Sequence, residues 1–343
     1  MNSKATYSLK YILLGLLLLL FILINLSLGS VDIPFKSILQ ILTGSNEVKE
    51  NWQYIILQWR LPKTITAILV GSGLSISGLL MQTLFRNPLA GPFVLGISSG
   101  ASLGVATLVL GVSVFSGSLA GWALSSIGLA LAASIGALLI LSIVLLTARK
   151  IKNTMSILII GLMFGSFTAA IISVLAYFSS ADQLQQYVFW TFGSLGNLSW
   201  NEILVLCVIY IFGIGLILTI IKPLNSLLLG ENYAISLGVN LKRTRNTVLI
   251  ITGILTGAIT AFSGPIAFIG LAVPHLTKLI IKTSDHKILV PAVIVIGAIV
   301  MLICDTIAQL PNSEYTLPIN AVTSLFGAPI VIWLLVRKRK IQY

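Results

Sequence analysis

The stretch 246–277, NTVLIITGILTGAITAFSGPIAFIGLAVPHLT, decides the architecture, and it holds 32 residues without a charge. A helix needs roughly 20 apolar residues to cross the hydrocarbon core of a bilayer. The stretch is therefore long for one crossing and short for two. Ser263-Gly264-Pro265 interrupts it, and a proline disfavours helical geometry in the residue before it. Splitting the stretch at Gly264 makes two helices and reverses the side on which everything downstream emerges.

Working outward, the gaps between charges supply the other crossings. Residues 11–31, 64–85, 153–181, 203–221, 288–304 and 315–336 are charge-free. The stretch 87–148 runs for 62 residues without a charge, enough for two helices and a turn near Gly111–Gly121. With 246–277 undivided there are nine candidates, and the split makes ten. The eighth, about 266–277, is too short to cross alone unless it is partly re-entrant.

Basic residues test the split, because cytoplasmic loops carry the excess of Lys and Arg. With an inside N-terminus and the break at Gly264, 17 of the 21 basic residues fall inside. Only Lys36, Lys49, Arg60 and Lys63 fall outside. Without the break, Lys278–Lys287 and the cluster Arg337–Lys340 would move outside. Both termini are thus expected in the cytoplasm.

Composition agrees. The 343 residues are 57% hydrophobic and 9% charged, against about 25% charged in soluble chains. The reading is an all-α polytopic membrane protein forming one transmembrane domain over 1–343, with the lipid bilayer as its solvent. The net charge of +12 follows the topology-setting clusters, so nucleic acid is not a partner. Lys4 and Lys10 before a Leu-rich run resemble a signal peptide. The run is longer than such segments usually are and no A-x-A site follows, so it reads as a retained helix. Glycines recur four apart at Gly96/Gly100/Gly104, Gly117/Gly121, Gly161/Gly165 and Gly253/Gly257, a spacing that lets helix backbones approach closely.

Catalytic chemistry is not legible. There is no G-x-x-x-x-G-K-[ST] and no H-E-x-x-H. Gly96-Ile-Ser-Ser-Gly100 lacks the strand-turn-helix setting of a nucleophile elbow. Cys207 and Cys304 sit in apolar runs without C-x-x-C spacing and read as small hydrophobes. His275 and His286 have no ligand cluster around them, so no metal or cofactor is expected on this chain. Ionisable residues inside membrane spans are default functional candidates, and Asp305 is the clear one. Its place about one turn before Gln309 fits a structural bond to a neighbouring helix. The other reading is proton or sodium coupling in a secondary transporter.

A set of motifs points further. They are Arg60-Leu-Pro-Lys63, Gly71-Ser-Gly73, Gln82, Arg86-Asn-Pro-Leu-Ala-Gly-Pro92, Leu95-Gly-Ile-Ser-Ser-Gly-Ala101 and Trp190-Thr-Phe-Gly-Ser-Leu195. Leu229-Gly-Glu-Asn-Tyr-Ala234, Leu237-Gly-Val239 and Gly264-Pro-Ile-Ala-Phe-Ile-Gly-Leu-Ala-Val-Pro-His275 follow. Asp285-His286, Asp305, Leu317-Pro-Ile-Asn320 and Phe326-Gly-Ala-Pro329 complete the set. From Arg60 to Leu335 the chain resembles the FecCD-type permeases of bacterial ABC importers, the group that moves iron–siderophore complexes, haem and cobalamin across the cytoplasmic membrane.

That resemblance implies two inversely oriented halves, with Asn87-Pro88 on an inside loop and Gly264-Pro265 on an outside one. It implies a second permease subunit, identical or paralogous, two cytoplasmic ABC ATPase subunits holding ATP and Mg, and an external solute-binding protein. Arg60 and Lys63 would meet acidic residues of that binding protein. Residues 223–245 would be the coupling loop, opened by Pro223, with Gly230, Glu231, Ala234, Leu237 and Gly238 docking in the ATPase. Thr154 and Met155, in the loop Lys150–Met155, would stand at the cytoplasmic gate. Asn87, Pro88, Gly264, Pro265, Pro274, His275 and Asp305 would carry the structural motifs. The chain departs from the family pattern at Gly91 (commonly Asp), Asn320 (commonly Gly) and Gln309 (usually Arg). The last departure weakens or displaces the expected docking contact.

Overall fold

The computed structural model describes residues 2–44, 48–111, 124–151, 154–311, 313 and 315–338. Among them every regular element is helical. Helix α1 (Asn2–Ser27) is followed by the short α2 (Phe35–Leu42) and α3 (Glu50–Ile55). A π-turn at Ile56–Arg60 leads without a break into α4 (Leu61–Leu84). A single 3-10 turn, Pro92–Leu95, precedes α5 (Ile97–Leu110). Then come α6 (Ser126–Lys150), α7 (Thr154–Phe178), the short α8 (Ala181–Thr191) and α9 (Trp200–Leu228). The short α10 (Glu231–Ser236), α11 (Leu241–Ser263), α12 (Ile269–Ile281), α13 (His286–Ala308) and α14 (Ile319–Lys338) complete the chain.

Among the described residues seven helices are long and apolar enough to cross a membrane: α1, the continuous Glu50–Leu84, α6, α7, α9, α11 and α13. With the shorter apolar helices α5, α12 and α14, the apolar helices match the ten expected crossings in number. The turn expected near Gly111–Gly121 lies, beyond Gly111 itself, outside the described residues.

A helix that is apolar all round belongs inside a bundle, and α4 meets that rule. In the most apolar window of Glu50–Leu84, 89% of residues are buried, against 17% in α1 and in α7. Helix α4 is therefore the axis, packed by α13, α12, α11 and α9, while α1 and α7 lie outside it. Its Gly71 and Gly78 face the backbone at Gly297 of α13 and Gly270 of α12 so closely that any side chain there would strike a carbonyl. Gly100 of α5 meets Gly136 of α6 in the same way.

The two halves repeat one device with exchanged partners. Each has a long helix (α4, α11), an interruption, and a short helix (α5, α12). The short α12 packs on the first long helix, α4, where Gln82 Nε2 donates to the Leu271 carbonyl at 3.1 Å. The short α5 packs on the second long helix, α11, where the Ser98 and Thr260 hydroxyls lie 3.3 Å apart.

The eighth crossing is resolved by this arrangement. Helix α12 has 13 residues, about 20 Å at 1.5 Å per residue, which falls short of a roughly 30 Å core. Residues 264–267 enter it non-helically, with Gly264 at φ +73° and Phe268 at φ +64°. A Cβ at Gly264 would sit 2.8 Å from the Trp190 carbonyl, so only glycine fits there. Irregular backbone at such depth must be satisfied by protein. Here Ser194 N–H donates to the Ser263 carbonyl at 2.9 Å, and Ala267 N–H donates to Asn320 Oδ1 at 3.1 Å. The departure at Asn320 thus supplies an acceptor that a glycine would lack.

One boundary is corrected. Pro223 does not open the coupling loop, because α9 continues through it to Leu228. Proline removes one N–H and crowds the preceding turn, and membrane helices tolerate this where neighbours absorb the strain. The non-helical connection begins instead at Leu229.

Candidate functional site

Two polar assemblies cap opposite ends of the bundle. At the first, α1, α4 and α13 converge. The π-turn carries Arg60 inward, where it is 9% exposed. Its guanidinium donates to the carbonyls of Leu26 and Ser27, both at 2.7 Å, and of Val31. The last carbonyls of a helix have no intrahelical partner, and a cation there is favoured by the helix dipole. Arg60 therefore caps α1.

Lys63, one turn on, pairs with Asp305 at 3.1 Å, and its side chain keeps 23% exposure against 2% for the carboxylate. Asp305 also accepts from Asn25 Nδ2 at 2.9 Å and from Gln309 Nε2 at 2.8 Å. Thr64 Oγ1 donates to Asn25 Oδ1 at 2.7 Å. The carboxylate thus holds three helices through bonds on both oxygens. Gln309, where the resembled family usually has arginine, keeps a donor on that carboxylate.

Above this cluster opens a cavity of about 800 Å³. Trp59, Arg60 and Lys63 form one wall, Phe189 with Phe192 to Asn197 and the approach to α14 the others, with Asp305 and Gln309 also lining it. Trp59 and Phe189 are both 59% exposed. The Gly264 break lies behind this wall, since Gly193 packs against Ser263 and Pro265.

At the opposite end, Asn87, Pro88, Pro274 and His275 are brought together: His275 Nε2 lies 3.1 Å from the Pro88 carbonyl. Beside them a cavity of about 850 Å³ is lined by Arg86, Met155, Gly230, Glu231 and Tyr233, among others. Helix α10 separates the expected coupling residues. Ala234 is buried, while Glu231 and Leu237 are exposed. Gly230 and Gly238 take φ +114° and +81° at its ends, which favours glycine there. Leu229, Tyr233, Ile235 and Leu237 are 65%, 53%, 55% and 57% exposed, so the segment presents apolar side chains without cover from this chain. Met155 is 48% exposed. Thr154 opens α7, and Lys152 and Asn153 of the expected gate loop lie outside the described residues.

Residues that charge-counting missed tie the segment to the core. Asn225, on the last turn of α9, donates to Asp285 at 2.7 Å and accepts from the His286 N–H at 2.9 Å. The buried His286 ring bridges Asn225, 2.7 Å from Nδ1, and Thr83 of α4, 2.9 Å from Nε2. Asp285 caps α13, and the Lys287 N–H together with the Asn225 amide holds its carboxyl below the usual carboxylate range. The available signal was a lone amide in an apolar run, at Asn25 and again at Asn225, since a buried amide needs partners. Among the described residues no group of three His, Cys, Asp or Glu side chains is placed to hold a metal.

Comparison with known proteins places this arrangement. The model of the FecCD transport family matches residues 17–337. The vitamin B12 import system permease protein BtuC of Klebsiella pneumoniae subsp. pneumoniae is 39% identical over 327 residues, covering 95% of this chain and 93% of that protein. Its counterpart in Salmonella typhi is 37% identical over 333 residues, covering 95% and 94%. A solved structure described as a metal-chelate type ABC transporter in an inward-facing conformation superposes with a TM-score of 0.81. It is 30% identical and covers 95% of this chain and 97% of that one.

Proposed function

Because this chain belongs to the FecCD transport family, we propose that it is the transmembrane permease subunit of an ATP-driven importer whose cargo is cobalamin or an iron chelate. The observation that carries this reading is the likeness to vitamin B12 permeases over 95% of the chain. The fold supports it: a buried axial helix, two interrupted crossings and a wide cavity at each end suit a pathway that opens by rearranging helices.

In this reading the Arg60 end faces outward and both termini lie in the cytoplasm, as the basic residues dictate. The solute-binding protein docks over the 800 Å³ cavity, touching the rim at Lys63 and Trp59 while Arg60 holds the rim from beneath. A second permease subunit, an identical copy or a paralogue, completes the pathway. Two ATPase subunits bind ATP and Mg and receive α10, with Glu231, Tyr233 and Leu237 in their groove and Gly230 and Gly238 setting its angle. Met155, with Thr154, stands at the cytoplasmic gate. The chain supplies no catalytic group of its own.

Reconstitution tests the proposal. The permease is placed in proteoliposomes with an ABC ATPase and a binding protein from neighbouring genes. Uptake of cobalamin or a ferric chelate should require ATP. Uptake that survives ATP removal and collapses with the proton gradient would overturn the proposal in favour of an ion-coupled transporter working through Asp305.

A further inference from the structure

A third cavity, of about 240 Å³, lies at the root of α10 where α6 ends and α11 begins. That is several times the roughly 30 Å³ one water occupies in the liquid. Its wall carries three cations, Arg149, Lys242 and Arg245, against one carboxylate, Glu231. Arg245 is held in place. Its two terminal nitrogens donate to the Ala148 and Ile151 carbonyls at 2.6 and 3.1 Å, capping α6. Its Nε is buried and has no hydrogen-bond partner. An unpaired buried donor costs free energy, so the Arg245 charge is not fully neutralised by its carbonyl partners.

The source of the anion follows from where the cavity opens. Arg149 is exposed at the end of α6. Along that helix Ile135, Leu139 and Leu146 are 65%, 52% and 58% exposed. Their spacing of four and seven, with Arg149 three further on, aligns them on one face. Acyl chains lying along that stripe would end with their headgroup beside Arg149. Basic pockets between membrane helices on the cytoplasmic side suit anionic headgroups.

We infer that this cavity binds the phosphate of an anionic lipid headgroup, held by Arg149, Lys242 and Arg245. The inference stands on the cavity itself and does not depend on what the protein transports.

Native mass spectrometry of the full-length permease, incubated with phosphatidylglycerol or phosphatidylcholine, tests it. The wild type should retain one phosphatidylglycerol more strongly than any phosphatidylcholine. Arg149→Gln with Lys242→Gln, which leaves the α6 cap intact, should weaken that retention about thirtyfold. Lys36→Gln with Lys49→Gln, at the opposite end, should not change it. Thermal melting in phosphatidylcholine checks that the variants fold, and a variant that melts early is replaced by Lys242→Gln alone. Equal phosphatidylglycerol retention by the wild type and the folded variant would overturn the inference. So would displacement of the lipid by millimolar inorganic phosphate, which would make the occupant a free anion. Loss of ATPase assembly with lipid retention intact would also overturn it, by assigning the cations to a protein partner.

Discussion

The two ends of the bundle use their polar residues in opposite ways. At the Arg60 end the charges are spent inside the molecule: Arg60 on α1 carbonyls, Lys63 on Asp305, and Asp305 on three helices. At the Arg86 end the expected coupling helix leaves Leu229, Tyr233, Ile235 and Leu237 more than half exposed. The contrast separates rigidity from recognition. The Arg60 end is a braced rim whose charges hold its shape, and the Arg86 end is an exposed apolar surface. A charge at a membrane interface is thus weak evidence for docking until its partners are known.

The comparison breaks most easily at Asp305. Asp305→Ala leaves Lys63 without its ion-pair partner, while Asn25 keeps Thr306 and Thr64. Lys63 keeps 23% exposure and can be hydrated, so the cost is that of lost hydrogen bonds on a partly buried group, about 1–3 kcal/mol, and melting in detergent should fall. Asp305→Asn, which keeps an acceptor, should fall less and retain ATP-driven uptake. A wild-type melt for Asp305→Ala would show that the rim is not braced by the carboxylate.

The next effect belongs to the open end. Tyr233→Ala with Leu237→Ala should leave melting within about 0.5 kcal/mol of wild type. Loss of a buried interface anchor costs about 2 kcal/mol or more, so ATPase assembly should weaken about thirtyfold. Unchanged assembly would move the coupling surface elsewhere.

Arg60→Gln sharpens the contrast. Losing the cap on α1 should cost roughly 1–2 kcal/mol, with binding-protein affinity reduced only through rim stability. A large, salt-sensitive drop in affinity at an unchanged melt would return Arg60 to a direct docking role.

The smallest effect is at Asp285. Asp285→Ala removes an N-cap worth about 1 kcal/mol. The folded carboxyl titrates below its ordinary value of 3.8. Its contribution is therefore complete above that value and is lost only as pH falls through the lower folded value. The difference in melting between the variant and wild type should be flat from pH 8 to pH 6. A difference that shrinks across that range would contradict the hydrogen bonding seen at Asp285.

Much of the fold was legible because bilayer physics acts locally. Charge-free length marks a crossing, Gly264-Pro265 marks a break, and basic residues mark a side, each readable without knowing what packs on what. Glycine spacing likewise foretold close helix contacts at Gly100. The limits appear where a residue's meaning depends on a distant partner. Pro223 read as an end because proline usually ends helices, yet α9 carries it to Leu228. Ala234 and Leu237 lie three apart, but the body of the protein buries one and leaves the other exposed.

The sequence by itself determined the apolar stretches, the orientation to expect of them and the family motifs, since these rest on hydropathy, charge and short patterns along the chain. Only the tertiary structure decided what the polar residues do. Asn25 and Asp305 are 280 positions apart, and nothing local announces that they bond. Packing α1 and α13 against a common axial helix creates that contact, and it makes the carboxylate a brace that also holds Lys63 at the rim.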